Sequence, residues 1–348
     1  MDPSPSLERL LAERVERQGE VAVSSGDVLR WSEAHRETSP RHWPDRTAHW
    51  VAPPAMSTAF LRPMEWRPDR QGPPTHRGSS LHERLKDALG YPLGIAAGYE
   101  LEMHRPLRDG DRLEAVERIA SVGEPEQTRL GPGRRWVVEN WCTLAGSGEL
   151  VAVERFSLLG YDPAATLLPT AGDPSSSEGG SPGRTGTDEV SHLGGEPGSE
   201  VADRIGRVEE LDVTALAIVM GASANRVWVA AHIDRDAAQA AGVPDLFVDT
   251  ATQVGLLTGV ATRAAGADAR PGRASLRMRR PLCPGDHLRM QARVVDEAVD
   301  EVGVRWCTVD VQGLVGEVVH STLTARVAVA GPDDQPDVWR LPGEAWRP

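Results

Sequence analysis

The chain has 348 residues, of which 40% are hydrophobic, and a formal net charge of −13. That length suits two domains of about 150 residues, each large enough to bury its own core. A balance this acidic argues against sequence-independent nucleic-acid binding, where Lys and Arg must replace counterions, and no run approaches the roughly 18 apolar residues of a membrane helix. Cys142, Cys283 and Cys307 are scattered without zinc or redox spacing. So sparse and odd a set fits a reducing compartment. With no basic-then-apolar leader at the start, the expected location is the cytoplasm.

Residues 5–18 predict an amphipathic helix with Leu7, Leu10, Leu11 and Val15 on one face. A second helix is predicted over about 27–36, with Asp27 as its N-cap. An irregular stretch leads to Val51-Ala52-Pro53-Pro54, whose prolines suit the start of a helix running through Phe60. Ser80 to Leu89 predicts another short helix. Beyond it, 93–104, 112–122, 134–145 and 150–160 read as long strands joined by Gly or Pro turns. Residues 164–199 are rich in Gly, Ser, Pro, Thr and Glu and cannot bury a core, so a flexible linker is expected there.

The second half repeats the order. Helices are predicted over Val213–Gly221, over Asp234–Ala241 with Asp234 as N-cap and Gly242 at the end, and over about 249–264. Strands follow near 273–281, 286–296, 302–313 and 316–329, then a proline-rich extended tail from Gly331. One phrase occurs in both halves. Arg105-Pro106-Leu107-Arg108-Asp109-Gly110-Asp111-Arg112-Leu113 returns as Arg280-Pro281-Leu282-Cys283-Pro284-Gly285-Asp286-His287-Leu288, 175 positions later (280 − 105). Repetition at half the chain length predicts a tandem pair of one module. Helices first and antiparallel strands after make an α+β layer, one sheet wrapped around one long helix, which is the hotdog arrangement.

With those residues in place, the chain resembles MaoC-like acyl dehydratases and (R)-specific enoyl-CoA hydratases in their tandem double-hotdog form. In the first half the resemblance rests on Val51-Ala52-Pro53-Pro54, Leu81-His82-Glu83, Arg105-Pro106-Leu107 with Gly110-Asp111, and Arg134-Arg135-Trp136-Val137. In the second it rests on Ala231-His232-Ile233-Asp234, Gly242-Val243-Pro244-Asp245, Thr250 to Gly255 and the second copy of the phrase. The domains it implies are 1–163 and 200–331, with linker 164–199 between them and tail 332–348 after. It implies hydration of an enoyl thioester, or dehydration of a 3-hydroxyacyl thioester, carried by coenzyme A or a carrier protein. No cofactor, metal, nucleic acid or membrane is called for. The fused pair is either complete alone or dimerises further.

The family's signature is Asp-x-Asn-Pro-x-His, an acid and an imidazole five residues apart that grip one water. The first half has Glu37-Thr38-Ser39-Pro40-Arg41-His42, with Glu for Asp and Ser for Asn. The second has His232, but Val227 stands where the acid belongs and Asn225 is the nearest polar substitute. Glu37, His42, His232 and Asn225 are therefore the candidate catalytic residues. Pro53, Pro54, Ala55, Asp249 and Thr250 mark the starts of the two central helices, where backbone N–H groups meet a thioester oxygen. Arg273, Arg277 and Arg279 share a strand face by alternation and are candidates for phosphate contact, or equally for a solvated edge. Glu37 and His42 also fit a polar loop, and His232 a remnant packed on Trp228. His35, His42 and His49 recur every seven residues, but Pro40 and Pro44 break any helix that would aim them at a metal. A non-catalytic acyl-thioester binder and a thioesterase with Asp249 as its acid are the competing readings.

Overall fold

The computed structural model describes residues 5–70, 81–164, 205–266, 268–329, 337–341 and 343–348. The expected linker lies almost wholly outside the described residues. Ten antiparallel strands form one sheet: β1 (Arg14–Gln18), β2 (Leu93–Met103), β3 (Leu113–Thr128), β4 (Gly131–Leu144), β5 (Leu150–Tyr161), β6 (Ile205–Asp212), β7 (Arg270–Met278), β8 (His287–Val299), β9 (Arg305–Val315) and β10 (Val318–Val329). Their order is β1-β3-β4-β5-β2-β7-β10-β9-β8-β6. Read inward from either edge, the two halves have the same connectivity. They meet where β2 pairs with β7, Tyr99 opposite Leu276 and Leu101 opposite Ala274. This is the double hotdog that the repeat predicts.

The repeated phrase has the same work in both copies. Gly110 and Gly285 take positive φ (80° and 97°), which glycine adopts without strain. Asp111 accepts from the Arg108 N–H, and Asp286 from the Cys283 N–H, both at 2.8 Å. The Leu107 and Leu282 carbonyls then accept from Ala52 and Val248 (2.8 and 2.9 Å). Each copy thus pins the residue just before its half's central segment.

Those central segments differ. In the second half, α6 (Thr250–Ala265) is a full α-helix, N-capped by Asp249, whose carboxylate accepts from Thr252 N–H at 3.0 Å. In the first half, the predicted helix after Pro53 is a 3-10 segment, Pro54–Leu61, with all eight residues buried. Prolines bracket it: Pro53-Pro54 remove two donors at the start, and Pro63 drives Arg62 to an extended ψ of 134°. The sheet surface left uncovered is closed by α1 (Pro5–Ala12) and α3 (Leu81–Ala88), whose Leu10, Leu81 and Leu85 pack on Trp136 and Leu158.

Three boundaries correct the sequence reading. The helix expected over 5–18 ends at Ala12, and residues 14–18 form edge strand β1, because Arg14 to Gln18 finds β3 as a partner. Strand β6, paired with β8, occupies residues just after the linker and carried no sequence signal. Helix α2 (Ser25–Ala34) is capped by Ser24 rather than Asp27, whose own N–H donates to Ser24 Oγ at 3.2 Å. The remaining helices are α4 (Ala215–Ala224) and α5 (Arg235–Ala240), the latter capped by Asp234 as expected. No helix among the described residues is long and apolar enough to cross a membrane.

Candidate functional site

The two signature loops leave their helices in the same way. After α2 and after α4 the chain turns through a non-glycine residue of positive φ, Arg36 at 51° and Arg226 at 56°. The next N–H reaches back into the helix, Glu37 to the Ser32 carbonyl and Val227 to the Ala222 carbonyl (2.9 and 2.8 Å). A short 3-10 turn follows, Pro40–His42 or Ala230–His232. Each histidine Nδ1 then donates to a carbonyl ahead of the central segment, His42 to Val51 at 2.9 Å and His232 to Phe247 at 2.8 Å. A carbonyl only accepts, so in the neutral ring the proton sits on Nδ1 and Nε2 carries the lone pair.

Here the likeness ends. Glu37 Oε1 accepts from the Thr38 and Ser39 N–H groups at 2.7 and 2.8 Å, so the longer acid is folded onto its own loop and held there. His42 is buried, and burial pushes its pKa below the ordinary value; the Glu37 charge opposes that shift, which places the acid within electrostatic reach. Both residues line a cavity of about 260 Å³, together with Pro53, Pro54, Ala55 and Trp31. Its other wall is the α6 face of the second half: Gly255, Thr258, Gly259, Thr262 and Arg263. Helical residues three and four apart share a face. The spacing 255, 258, 259, 262 was therefore visible in the sequence as a stripe of small residues, though nothing there said which loop it would meet. Gly255 is needed for the approach, since a Cβ built on it would lie 2.3 Å from His35 Cδ2 and 2.8 Å from Trp31 Cζ2.

Arg263 was not singled out by sequence reasoning. Its guanidinium forks onto Glu209 of β6, with two bonds of 2.7 Å, and its Nη1 stands 4.0 Å from Glu37 Oε1. That Nη1 and the Thr258 hydroxyl are buried in the cavity wall without a hydrogen-bond partner among the described residues. Arg207 also pairs with Glu209 and lines the same cavity. Pro53 and Pro54 have no N–H, so Ala55 supplies the first amide of its turn, and no group among the described residues accepts it. Among the same residues no cluster of His, Cys, Asp and Glu is arranged to hold a metal.

Residues 12–153 match the family described as FAS1-like, dehydratase domain region. By fold, the chain is similar to a MaoC-like dehydratase (TM-score 0.63, 16% identity, 93% of this chain and 100% of that one). It is also similar to the MaoC-like dehydratase of Phytophthora capsici (0.62, 13%, 94% and 99%). A putative MaoC domain protein dehydratase from Chloroflexus aurantiacus aligns as well (0.56, 13%, 92% and 96%). The chain thus has the double-hotdog fold of the MaoC-like dehydratases, and its first half carries the match to the dehydratase-region family. At these identities the structural likeness is one of fold, and no curated protein matches the sequence.

Within that tandem MaoC-like frame the other expected residues fall elsewhere. Asn225 is buried, and its amide is fully used: Oδ1 accepts from Trp31 Nε1 at 2.9 Å, and Nδ2 faces His35 Nε2 (3.2 Å), the Gly221 carbonyl and Thr252 Oγ1 (both 3.1 Å). It ties α4 to α2 and α6, and His232 is not among the partners of its amide. His232 packs on Phe247, ring centroids 4.4 Å apart, and forms no ion pair with a carboxylate among the described residues. Asp249 spends both carboxylate oxygens on Thr252, and Thr250 Oγ1 donates to Met278 Sδ at 3.5 Å. Arg273 and Arg277 lie on the face of β7 opposite its buried Ala274 and Leu276. Arg273 pairs with Glu100 of β2 at 2.9 Å, Arg277 is exposed, and Arg279 lies past the strand's end. None of the three lines the 260 Å³ cavity. Alternation predicted the shared face of Arg273 and Arg277 but not that the strand ends before Arg279, nor which face the cavity uses.

Proposed function

We propose that the cavity between the halves hydrates an enoyl thioester, or dehydrates a 3-hydroxyacyl thioester in reverse, with Glu37 and His42 as its acid–base pair. The domain division at 1–163 and 200–331 is part of the proposal: the first unit supplies the reacting groups and the second supplies the α6 wall. The observation that carries it is that Glu37, His42 and the Ala55 turn line one cavity, whereas the second half's histidine packs on Phe247 and has no carboxylate partner among the described residues.

In the hydration direction, a water held between His42 Nε2 and the Glu37 carboxylate adds its oxygen to the β-carbon. One member of the pair takes the water's proton as the C–O bond forms and the double-bond electrons move onto the thioester, and that same group, now protonated, returns the proton to the α-carbon of the resulting enolate. Electron density shifted onto the thioester oxygen is met by the Ala55 N–H at the start of its turn, a preorganised donor of the kind that contributes about 2.7–4 kcal/mol in acyl-transfer sites. Glu37 suits its part because Oε1 is tied to two loop amides, leaving Oε2 for the water. A thioesterase reading would need Asp249, and that carboxylate is committed to capping α6.

The test follows loss of the conjugated-thioester absorbance across a panel of enoyl-CoA and enoyl-carrier-protein substrates. Turnover that His42→Ala abolishes and His232→Ala leaves intact supports the assignment. Absence of turnover across the panel, with tight binding of acyl-CoA, would replace it with a binding role.

A further inference from the structure

The end of the chain carries Trp339 and Trp346 among prolines, a composition that predicts an extended tail. Instead, Val338, Trp339 and Trp346 join Val51, Val304, Trp306 and Ala328 in one apolar cluster. Its centre is Arg270, 2% exposed. One Arg270 nitrogen donates to the Val338 carbonyl at 2.8 Å and the other to the His104 carbonyl at 2.6 Å, while the guanidinium lies 3.6 Å from the Trp346 ring centroid. Trp346 Nε1 donates to the Met103 carbonyl at 2.7 Å. This segment therefore bonds both to the end of β2 in the first half and to the start of β7 in the second.

The same segment reaches the cavity from behind. Trp339 stands edge-on to His42, with centroids 5.5 Å apart and planes at 67°. It is held there by its own Nε1 donating to the Asp268 carbonyl at 2.9 Å and by Arg41, whose guanidinium lies 5.1 Å over its ring. The His42 ring needs such a wall. Among the described residues the ring's one hydrogen bond runs from Nδ1 to Val51, and an imidazole's outer torsion is broad and soft. One bond fixes a point; a ring contact fixes the plane.

We propose that the chain's last segment is part of the candidate site, with Trp339 a positioning residue that keeps the His42 ring in the plane presenting Nε2 to the cavity. The inference rests on the reading of His42 as an acid–base group. The charges facing that imidazole are Glu37 and Arg41 on its own loop, Arg263 of α6 beside Glu37, Asp268 paired with Arg41 at 3.8 Å, and Arg270 behind Trp339. Burial outweighs Glu37 and holds the His42 pKa down. Opening the wall admits water and relaxes that effect.

The experiment compares full-length wild type, Trp339→Ala and Trp339→Phe. The His42 imidazole is titrated by nitrogen-15 NMR, assigned with His42→Asn, and kcat, KM and pH profile are measured on a substrate that the wild type turns over. Trp339→Ala is expected to lose about 10–100-fold in kcat with KM little changed, as a misplaced reacting group does. The His42 titration and the pH limb that follows it should move up, and Trp339→Phe should restore both. If Trp339→Ala does not fold, Trp339→Leu keeps the apolar bulk without the ring edge and carries the same expectation. A folded variant whose His42 titration and tautomer match the wild type overturns the proposal. A shifted titration in a protein that hydrates no thioester leaves the positioning role standing and removes the hydratase reading instead.

Discussion

The two halves share one frame, and each has lost what the other retained. The first keeps an acid with its histidine but has only eight residues of 3-10 turn where a long helix belongs. The second keeps the sixteen-residue helix α6 but has Val227 in the acid's place. The difference continues into the sheet beneath. Glu117, Asn140 and Glu154 lie side by side across β3, β4 and β5. The matching row across β8, β9 and β10 is Ala292, Val311 and Leu323. A long apolar helix needs the apolar row. Under the short segment, the two carboxylates of the polar row are paired from the side, Glu117 by Arg17 and the Leu81 N–H (3.0 Å), Glu154 by Tyr99 Oη (2.7 Å) and Asn140 Nδ2 (2.9 Å), while Asn140 Oδ1 has no hydrogen-bond partner among the described residues. On the proposed reading, a duplicated fold divides one task, with chemistry in one copy and a cavity wall in the other.

The sharpest way to break this comparison is to exchange the fates of the two histidines. His42→Ala should lower kcat on an enoyl thioester by about 100–10,000-fold, the range of a lost acid–base group. His232→Ala should stay within about twofold. Equal losses in steady-state rates would mean that both halves work.

The polar row is next in size. Glu117→Ala leaves Arg17 and the Leu81 N–H without their carboxylate, and breaking such a buried pair costs about 3–5 kcal/mol. Urea unfolding should show a loss near the lower end, since Arg17 keeps some solvent contact. Ala292→Ser at the matching position should cost less, because no buried charge is stranded.

Acid should weaken the junction between the halves. His35 is stacked on Trp31 (centroids 3.8 Å) and accepts from Asn225, and burial lowers its pKa to about 4. Unfolded, it titrates near 6.5. The unfolded state therefore binds a proton that the folded state refuses between those values. Stability is full above pH 6.5, falls as pH drops toward 4, and then levels, a loss of about 3 kcal/mol for this group. Urea midpoints between pH 7.5 and 4 should follow that slope, and His35→Gln should flatten it. His42, also lowered by burial, adds to the slope in the same direction.

The smallest effect is expected at Arg277, exposed on the outer sheet face. Arg277→Ala should change stability by no more than about 0.5 kcal/mol and leave KM unaltered. A several-fold rise in KM would return the outer face to consideration as a phosphate site.

Much of this was legible in the chain itself. The repeated Arg-Pro-Leu and Gly-Asp phrase reports turns that only certain residues make, and turns are local, so it disclosed the tandem fold. That Glu37 and His42 share one cavity wall follows from a spacing that lies within one loop. Asp234 and Asp249 were readable as caps or helix starts for the same reason. Asn225 was misplaced by proximity along the chain: its amide points across the junction to Trp31 and His35, partners nearly two hundred residues away. Arg263 and Trp339 gave no local sign at all.

The sequence alone determined the module, its duplication and the one loop that still holds an acid and an imidazole, because each depends on short-range pattern and backbone chemistry. Only the tertiary structure decided that this loop faces the helix of the opposite half, that the arginines of β7 face away from it, and that the chain's end closes behind His42. Those are contacts between distant segments, set by which surfaces the paired sheets bring together, and no local periodicity encodes them.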